Sequence, residues 1–175
     1  DRAAWPGRAL DPVSRALRLV CVREEDLGTV LASTAPPLRD RLVLVQNGFL
    51  EAVHGALGPV TRGLLWFTAK GDLYRQLAPS VFHGPNAAWL ASTLSRGGLD
   101  ALEVPERSAF LREMILKGLW NAVVGLPLAV HGEDLGTYLA RRGTEWRALL
   151  DEGARAASRE YGVTVSGDDA AACLV

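Results

Sequence analysis

The amino-acid sequence predicts an α/β region followed by an all-α region, on three observations. Residues 17–22 and 42–45 are short apolar runs rich in β-branched side chains, which is typical of buried strands. Residues 24–33 have helical spacing, and the order strand, helix, strand predicts a βαβ unit with a parallel sheet. Beyond Pro105 every periodic segment is helical. We therefore predict an α/β domain over residues 1–104 and a helical domain over residues 105–175.

The remaining elements follow from periodicity and from turn residues. Apolar runs between turn signals predict further strands at residues 64–69, 73–82 and 99–104. Helical spacing predicts helices at residues 49–57, 86–96, 106–130, 133–142 and 144–161. Trp89, Leu90 and Leu94 are predicted to share one face of their helix, and Pro127 is predicted to interrupt another. The S-x-x-D pattern over residues 166–169 predicts the capped start of a last helix.

The composition excludes several classes of protein. Among 175 residues, 19 basic and 20 acidic side chains give a net charge of -1, which argues against nucleic-acid partners and against a polybasic membrane surface. The longest nearly charge-free run, residues 118–130, is too short to span a bilayer. The N-terminal stretch has no apolar signal core, and Cys21 and Cys173 lack paired spacing. A cytoplasmic protein without a membrane partner is therefore predicted.

Common catalytic and metal-binding motifs are absent from these 175 residues. There is no G-x-G-x-x-G, G-x-x-x-x-G-K-[ST], H-E-x-x-H or G-x-S-x-G pattern. His54, His83 and His131 lie on different predicted elements without ligand spacing. We interpret them as surface or turn residues and predict no metal site.

The two ends of the sequence resemble cut points. The first residue is Asp1 rather than Met, and the helix that begins near Ser166 has room for about two turns. We interpret the sequence as a fragment or a trimmed chain, with a natural short tail as the alternative. Missing neighbours would leave apolar surface exposed, and self-association through the helical region is then expected.

Lys117 is the most informative residue of the sequence. Of the 19 basic residues 17 are arginine, so a retained lysine raises the question of whether an amine is needed. From Met114 the predicted helix is apolar on every side and is expected to be buried all round. Burial lowers the pKa of an amine toward neutrality, which suits a proton donor.

Asn121 follows Lys117 by four residues and therefore lies on the same helix face. Its side-chain amide offers both a donor and an acceptor to a polar ligand. The alternative is that Lys117 extends to the surface while Asn121 binds a backbone carbonyl.

Four segments, in order along the chain, resemble the ketopantoate reductases (2-dehydropantoate 2-reductases). They are L-V-C-V-R at residues 19–23, L-V-Q-N-G at 44–48, K-G-L-W-N at 117–121, and D-E-G with Y-G-V at 151–153 and 161–163. The resemblance runs from about residue 17 to residue 166. Each motif is common by itself, and their shared order and separations make the set more specific.

The resemblance implies an NADPH-dependent oxidoreductase of pantothenate biosynthesis that reduces 2-dehydropantoate, or a related 2-keto acid, to the 2-hydroxy acid. It implies a Rossmann-like domain that holds NADP(H). The helical domain would be similar to the C-terminal domain of 6-phosphogluconate dehydrogenase. Family members are commonly dimers, so a homodimer is expected.

The resemblance also implies a role for individual residues. Lys117 would be the general acid that protonates the developing alkoxide. Asn47 and Asn121 would bind substrate, with Asn47 also at the cofactor, and Arg23 would replace the family's usual lysine at the cofactor edge. Because Asn47 follows a parallel strand, we expect Lys117 and Asn121 to face it across a cleft between the domains.

Three features depart from the family pattern. The first βαβ unit with its glycine-rich loop is missing, because only 16 residues precede the first predicted strand. Gly125 stands where the family has a second asparagine, and the family's later helices lie beyond Val175. The chain alone is therefore expected to bind NADP(H) poorly and to be inactive.

Two other functions stay open. The chain could be a catalytically degenerate relative that binds a ligand or a partner through the same cleft. It could also be a different dehydrogenase of the same two-domain plan, acting on opines or other hydroxy acids.

Several residues have purely structural alternatives. Asn47 could supply a left-handed turn with Gly48, and Arg23 could pair with Glu24 or Glu25 on the surface. Glu152 is interpreted as a helix-surface residue. Four tryptophans are expected in the core or between the domains: Trp66, Trp89, Trp120 and Trp146.

Overall fold

A computed structural model describes residues 16–47 and 58–173. Within them the chain forms two compact units. The first unit is α/β and contains residues 16–46 and 58–103. The second unit is helical and begins at Val104, and it also includes Asn47.

The α/β unit is built from short strands, five of which form one sheet. In chain order the strands are β1 (Arg18–Val20), β2 (Leu42–Leu44), β3 (Thr61–Leu64), β4 (Phe67–Lys70), β5 (Leu73–Gln76), β6 (Ser80–His83) and β7 (Ala101–Glu103). The sheet has the order β1-β2-β3-β6-β7. Pairing of β1 with β2 is parallel, as predicted, and so are the β2–β3 and β6–β7 pairs. The β3–β6 pair is antiparallel, so the predicted parallel sheet is corrected to a mixed one.

Helix α1 (Glu24–Ser33) has the predicted bounds and covers one face of the sheet. Acidic residues occupy its first turn, where they stabilise the positive end of the helix dipole. A short 3-10 helix (Pro36–Arg41) follows and leads directly into β2. One buried cluster joins the helix to the strands: Val20, Leu27, Leu31, Leu42, Leu44 and Val60.

Helix α2 (Ala87–Arg96) packs on the other face of the sheet, where Phe82 and Ala101 lie with Ala87 and Ala91. The prediction that Trp89 shares the buried face is wrong, since its side chain is 58% exposed. The reason is helical geometry: Trp89 lies two residues from both buried alanines and therefore points to the opposite side.

The predicted strands at residues 64–69 and 73–82 are each divided. β4 and β5 leave the sheet and form a separate antiparallel ribbon, with Gly71 at φ 58° in the turn between them. The chain rejoins the five-stranded sheet at β6, directly after Pro79. A proline has no backbone N–H to donate to a neighbouring strand. The predicted helix at residues 49–57 lies outside the described residues.

The helical unit consists of α3 (Arg107–His131), α4 (Leu135–Tyr161) and α5 (Gly167–Ala172). Gly153 allows α4 to approach α3 closely, because a Cβ atom there would lie 2.6 Å from Leu119 Cδ2. The three helices bury one common cluster: Ile115, Leu116, Leu119, Val123, Leu150, Ala154, Ala157, Val165 and Ala170.

The helix boundaries correct one prediction and agree with two others. α3 is continuous through Pro127, so the predicted interruption is wrong. α4 breaks at Arg142 (φ -130°, ψ 30°), where two separate helices are predicted. The capping box at the start of α5 is present, with Ser166 Oγ accepting from the Asp169 N–H at 3.1 Å and Asp169 Oδ2 accepting from the Ser166 N–H at 2.9 Å.

Among the described residues, α3 is long and apolar enough, by length and composition, to cross a bilayer. The sequence predicts this helix at residues 106–130, but the exclusion of a membrane span considered only the nearly charge-free run 118–130, which is shorter than the 25-residue helix. The core helix of a protein in water meets the same criterion, and part of α3 lies in the cluster shared with α4 and α5.

Candidate active site

Lys117 lies in the buried middle of α3. Its side chain is 6% exposed, and the preceding turn, with Met114, Ile115 and Leu116, is buried as well. The apolar residues at these positions drive the burial of this segment against α4 and α5, and the lysine is carried in with them. The alternative that Lys117 extends to the surface is therefore wrong.

Burial changes the acid–base chemistry of this amine. Loss of solvation disfavours the ammonium form and lowers the pKa of Lys117 from 10.5 to about 8. Near neutral pH the group is still mostly protonated, and it gives up its proton far more readily than an exposed lysine. A cation with these properties can hold a developing negative charge and can donate a proton to it.

Asn121 lies one turn beyond Lys117 and is exposed. The prediction that α3 is buried all round from Met114 is therefore wrong, since Asn121 and Ala122 are open to solvent while Val123 is buried. α3 thus carries a buried amine and, one turn later, an exposed amide. Gly125 is exposed too, and a Cβ atom there would meet no other atom within 4 Å, so the absence of a second asparagine has no steric cause.

Arg23 lies at the carboxyl end of β1, immediately before α1. Its Nη1 atom donates to Glu25 Oε1 at 3.4 Å, and both side chains are largely exposed. The surface pair that the sequence offered as an alternative is therefore formed with Glu25. A role of Arg23 at a cofactor stays a prediction.

Asn47 follows β2 and is exposed. No described residue other than glycine has a positive φ, so the alternative in which Asn47 adopts a left-handed turn conformation is wrong. Its predicted contacts with substrate and cofactor, and its predicted position facing Lys117 and Asn121, stay predictions.

Gln46 was not predicted as a functional residue, and its side chain is anchored at this edge of the sheet by two hydrogen bonds. Its Nε2 atom donates to the carbonyl oxygens of Val20, at 2.7 Å, and Val22, at 3.2 Å. The side chain is 8% exposed, and its Oε1 atom is buried with no hydrogen-bond partner among the described residues. The sequence signal for it was the glutamine of the L-V-Q-N-G segment.

The other predicted residues lie apart from these two groups. Glu152 is exposed on α4, in agreement with its interpretation as a surface residue. His131 stacks on Tyr138 with 5.7 Å between ring centroids, and His83 ends β6. His54 lies outside the described residues. Within residues 16–47 and 58–173, no three His, Cys, Asp or Glu side chains are grouped so that they could hold a metal ion.

Part of this edge fits a nicotinamide dinucleotide. The orphaned Gln46 Oε1 requires an N–H or O–H donor, and such a cofactor carries both on its carboxamide and ribose groups. Arg23 offers a cation for phosphate at the same strand ends. A glycine-rich phosphate loop is absent from the 175 residues, so that part of a dinucleotide site is not supplied by a known motif.

The fold is similar to that of solved hydroxyacid oxidoreductases. A dimeric ketopantoate reductase from Staphylococcus aureus matches with a TM-score of 0.63 and 17% identity over 89% of this chain and 61% of its own. A 2-dehydropantoate 2-reductase from Methylococcus capsulatus matches with a TM-score of 0.66 and 17% identity over 89% and 56%. D-mandelate dehydrogenase in complex with NADH matches with a TM-score of 0.62 and 18% identity over 89% and 57%.

No protein-family model and no curated protein matches the chain. The chain spans 55–61% of the length of the ketopantoate reductases that it matches. The structural likeness shows that it has the fold of the corresponding part of these enzymes.

Proposed function

We propose that the chain belongs to the ketopantoate reductase family and acts in the NADPH-dependent reduction of 2-dehydropantoate, or a related 2-keto acid, to the 2-hydroxy acid. The observation that carries the proposal is Lys117, a 6%-exposed amine with a pKa of about 8 in the fold of these reductases. The proposed setting is pantothenate biosynthesis in the cytoplasm.

The proton in this reaction is assigned to Lys117 Nζ. Reduction of a ketone adds a hydride to its carbon and a proton to its oxygen. A bound nicotinamide dinucleotide supplies the hydride. Lys117 holds the negative charge that develops on the ketone oxygen and then donates its proton there, which a pKa of about 8 favours near neutral pH.

The polar side chains of α3 and the sheet edge are assigned to binding. Asn121 is exposed one turn from Lys117 and orients the substrate by donating to, or accepting from, its polar groups. Asn47 is proposed to contact both substrate and cofactor. Arg23 is proposed to attract a cofactor phosphate, because its guanidinium is exposed and its ion pair with Glu25 is a weak surface pair.

A homodimer is proposed as the working assembly, supported by the dimeric Staphylococcus aureus enzyme of the same fold. Sedimentation of the full-length protein tests this directly. A species of twice the chain mass supports the proposal, and a monomer at all accessible concentrations contradicts it.

The catalytic proposal is tested by following NADPH oxidation in the full-length protein with a panel of 2-keto acids. The panel includes 2-dehydropantoate and benzoylformate, the keto acid that corresponds to mandelate. We expect turnover with at least one of them, and we expect it to be lost in Lys117→Ala. Turnover that Lys117→Ala leaves unchanged would contradict the assignment.

A second candidate is a catalytically degenerate relative that binds a ligand or partner, and Gly125 favours it. The position has room for a larger side chain, yet the asparagine of the family pattern is absent. Gly125→Asn separates the two functions. A lower KM for 2-dehydropantoate in this variant supports the reductase, whereas NADPH binding without turnover in both proteins supports the degenerate relative.

A further inference from the structure

Two glutamines of the α/β unit, Gln46 and Gln76, each donate two side-chain hydrogen bonds to backbone carbonyl oxygens near strand ends. Gln76, at the end of β5, donates from Nε2 to the carbonyl oxygens of Ala78 and Asp100. Its Oε1 atom accepts from the Asp100 N–H at 2.9 Å. Every polar atom of this side-chain amide therefore has a partner.

In Gln46, the side-chain nitrogen has hydrogen-bond partners among the described residues and the side-chain oxygen has none. Its two N–H groups are used by the carbonyl oxygens of Val20 and Val22. These bonds determine which way the amide is turned, because the opposite orientation would place oxygen against two carbonyl oxygens. Oε1 is consequently held in one direction, buried and without a hydrogen-bond partner among the described residues.

A buried acceptor without a donor is rare and points to a function or to a missing partner. Gln46 lies where β1 and β2 end in parallel, next to Asn47 in the chain, and Arg23 follows the neighbouring strand β1. The carboxyl ends of parallel strands are where open α/β sheets bind ligands. The donor for Oε1 is therefore expected on a ligand rather than in the sheet.

The missing donor has a definite chemistry. An amide oxygen accepts from N–H or O–H groups and is not a partner for phosphate or carboxylate oxygens. We infer that Gln46 Oε1 accepts a hydrogen bond from the neutral carboxamide or ribose group of a bound nicotinamide dinucleotide. This inference rests on the proposed function, since the cofactor is the one that the function requires.

Gln46→Leu and Gln76→Leu in the full-length protein form a matched pair for the test. Both remove a glutamine whose amide bonds to the backbone near strand ends. Only Gln46→Leu removes a buried side-chain oxygen that has no hydrogen-bond partner among the described residues. NADPH affinity is measured by the fluorescence of the nicotinamide ring, and the melting temperature is measured with and without NADPH. We expect Gln46→Leu to weaken NADPH binding about tenfold, equivalent to 1.4 kcal/mol, and to shrink the NADPH-induced rise in melting temperature.

Gln76→Leu is expected to lower the melting temperature of the free protein while leaving NADPH affinity unchanged. Gln46→Met also removes the acceptor but keeps an unbranched side chain of similar length, so it is expected to weaken NADPH binding as Gln46→Leu does. This third variant also serves if Gln46→Leu fails to fold. A purely structural role predicts instead that the Gln46 variants change the free protein's melting temperature and leave the NADPH affinity as it was.

An analogue of NADPH identifies the donor group. In the 3-acetylpyridine analogue a methyl group replaces the carboxamide nitrogen. If the carboxamide donates, Gln46→Leu does not weaken binding of the analogue; if the ribose donates, it weakens both ligands equally. Equal NADPH affinity of wild type, Gln46→Leu and Gln76→Leu overturns the inference alone. A wild-type protein that binds neither NADPH nor NADH overturns the proposed function as well.

Discussion

The carboxyl edge of β1 and β2 and the middle of α3 both carry polar groups, but they hold them at very different cost. Arg23 and Asn47 are exposed at the sheet edge, where water solvates their side chains. Lys117 is 6% exposed in α3, next to a cluster of aliphatic residues. Its ammonium has lost most of its hydration, and the lowered pKa is the measure of that loss.

This difference predicts opposite consequences of substitution in the two regions. Replacing an exposed polar residue changes binding and leaves folding nearly unaffected. Replacing the buried amine of Lys117 removes the proton donor, but it also removes the free-energy cost of desolvating an ammonium group in the folded state. A residue whose removal lowers turnover and raises stability is kept for its function, which is the pattern expected at active sites.

The largest expected effect is on turnover. Lys117→Ala in an active full-length protein should lower kcat by about 10²–10⁴, the range for loss of a general acid. Steady-state kinetics with the preferred 2-keto acid measure this. Lys117→Arg should fail to restore kcat, because a guanidinium does not release its proton near neutral pH. Restoration by arginine would mean that charge alone suffices.

The next effect is on stability, with the opposite sign. The folded pKa of Lys117, about 8, lies below its unfolded value of 10.5, so the unfolded chain binds more protons between these pH values and stability rises with pH there. At pH 7 the cost of the ammonium form is fully present, and solvent screening reduces it to on the order of 1–3 kcal/mol for a shift of this size. Lys117→Met should therefore raise the free energy of unfolding by about 1–3 kcal/mol at pH 7.

Urea denaturation at neutral and alkaline pH checks this prediction. The gain of Lys117→Met over the wild type should shrink as the pH rises from 8 toward 10.5, because the folded wild-type protein then holds a neutral amine and no longer carries the cost of a buried ammonium. A variant that is less stable than the wild type at pH 7 would show that the interactions of Lys117 outweigh its desolvation.

A smaller effect is expected at Asn121. Asn121→Ala should raise KM for the keto acid by about tenfold, the loss of one hydrogen bond to a polar ligand, and should leave the Kd of NADPH unchanged. Because the residue is exposed, the melting temperature should stay within error of the wild type. A larger effect on NADPH than on substrate would move Asn121 from the substrate to the cofactor.

The smallest effect is expected at the sheet edge. Arg23→Gln should change the free energy of unfolding by less than about 0.5 kcal/mol, since its pair with Glu25 is exposed. It should weaken NADPH binding a few-fold at low salt and less at high salt, because salt screens exposed charges. An NADPH affinity that does not depend on Arg23 at any salt concentration would remove it from the cofactor site.

Local patterns were predictable from the sequence where near neighbours decide the structure. Helix α1 has its predicted bounds because acidic residues begin it and prolines follow it. The capping box of α5 depends on residues three positions apart. The spacing of Lys117 and Asn121 likewise follows from one helical turn.

Tertiary features were not predictable in this way. The side-chain hydrogen bond from Gln46 reaches the carbonyl oxygen of Val20, 26 residues earlier, and no local sequence pattern predicts such a contact. The β4–β5 ribbon leaves the sheet, and apolar alternation alone does not distinguish a ribbon from a continuous strand. The open side of α3 at Asn121 depends on which neighbours pack there, so its composition wrongly suggested burial all round.

The pKa of Lys117 tests the central claim most directly. The 175 residues contain only two lysines, Lys70 and Lys117, so selective ¹³C labelling of lysine gives two side-chain NMR signals, and Lys70→Arg assigns them. We expect the Lys117 signal to titrate with a midpoint near 8, and to be absent in Lys117→Met. A midpoint at the ordinary value of 10.5 would contradict the account, because a fully solvated amine would be neither costly to the fold nor ready to give up its proton near neutral pH.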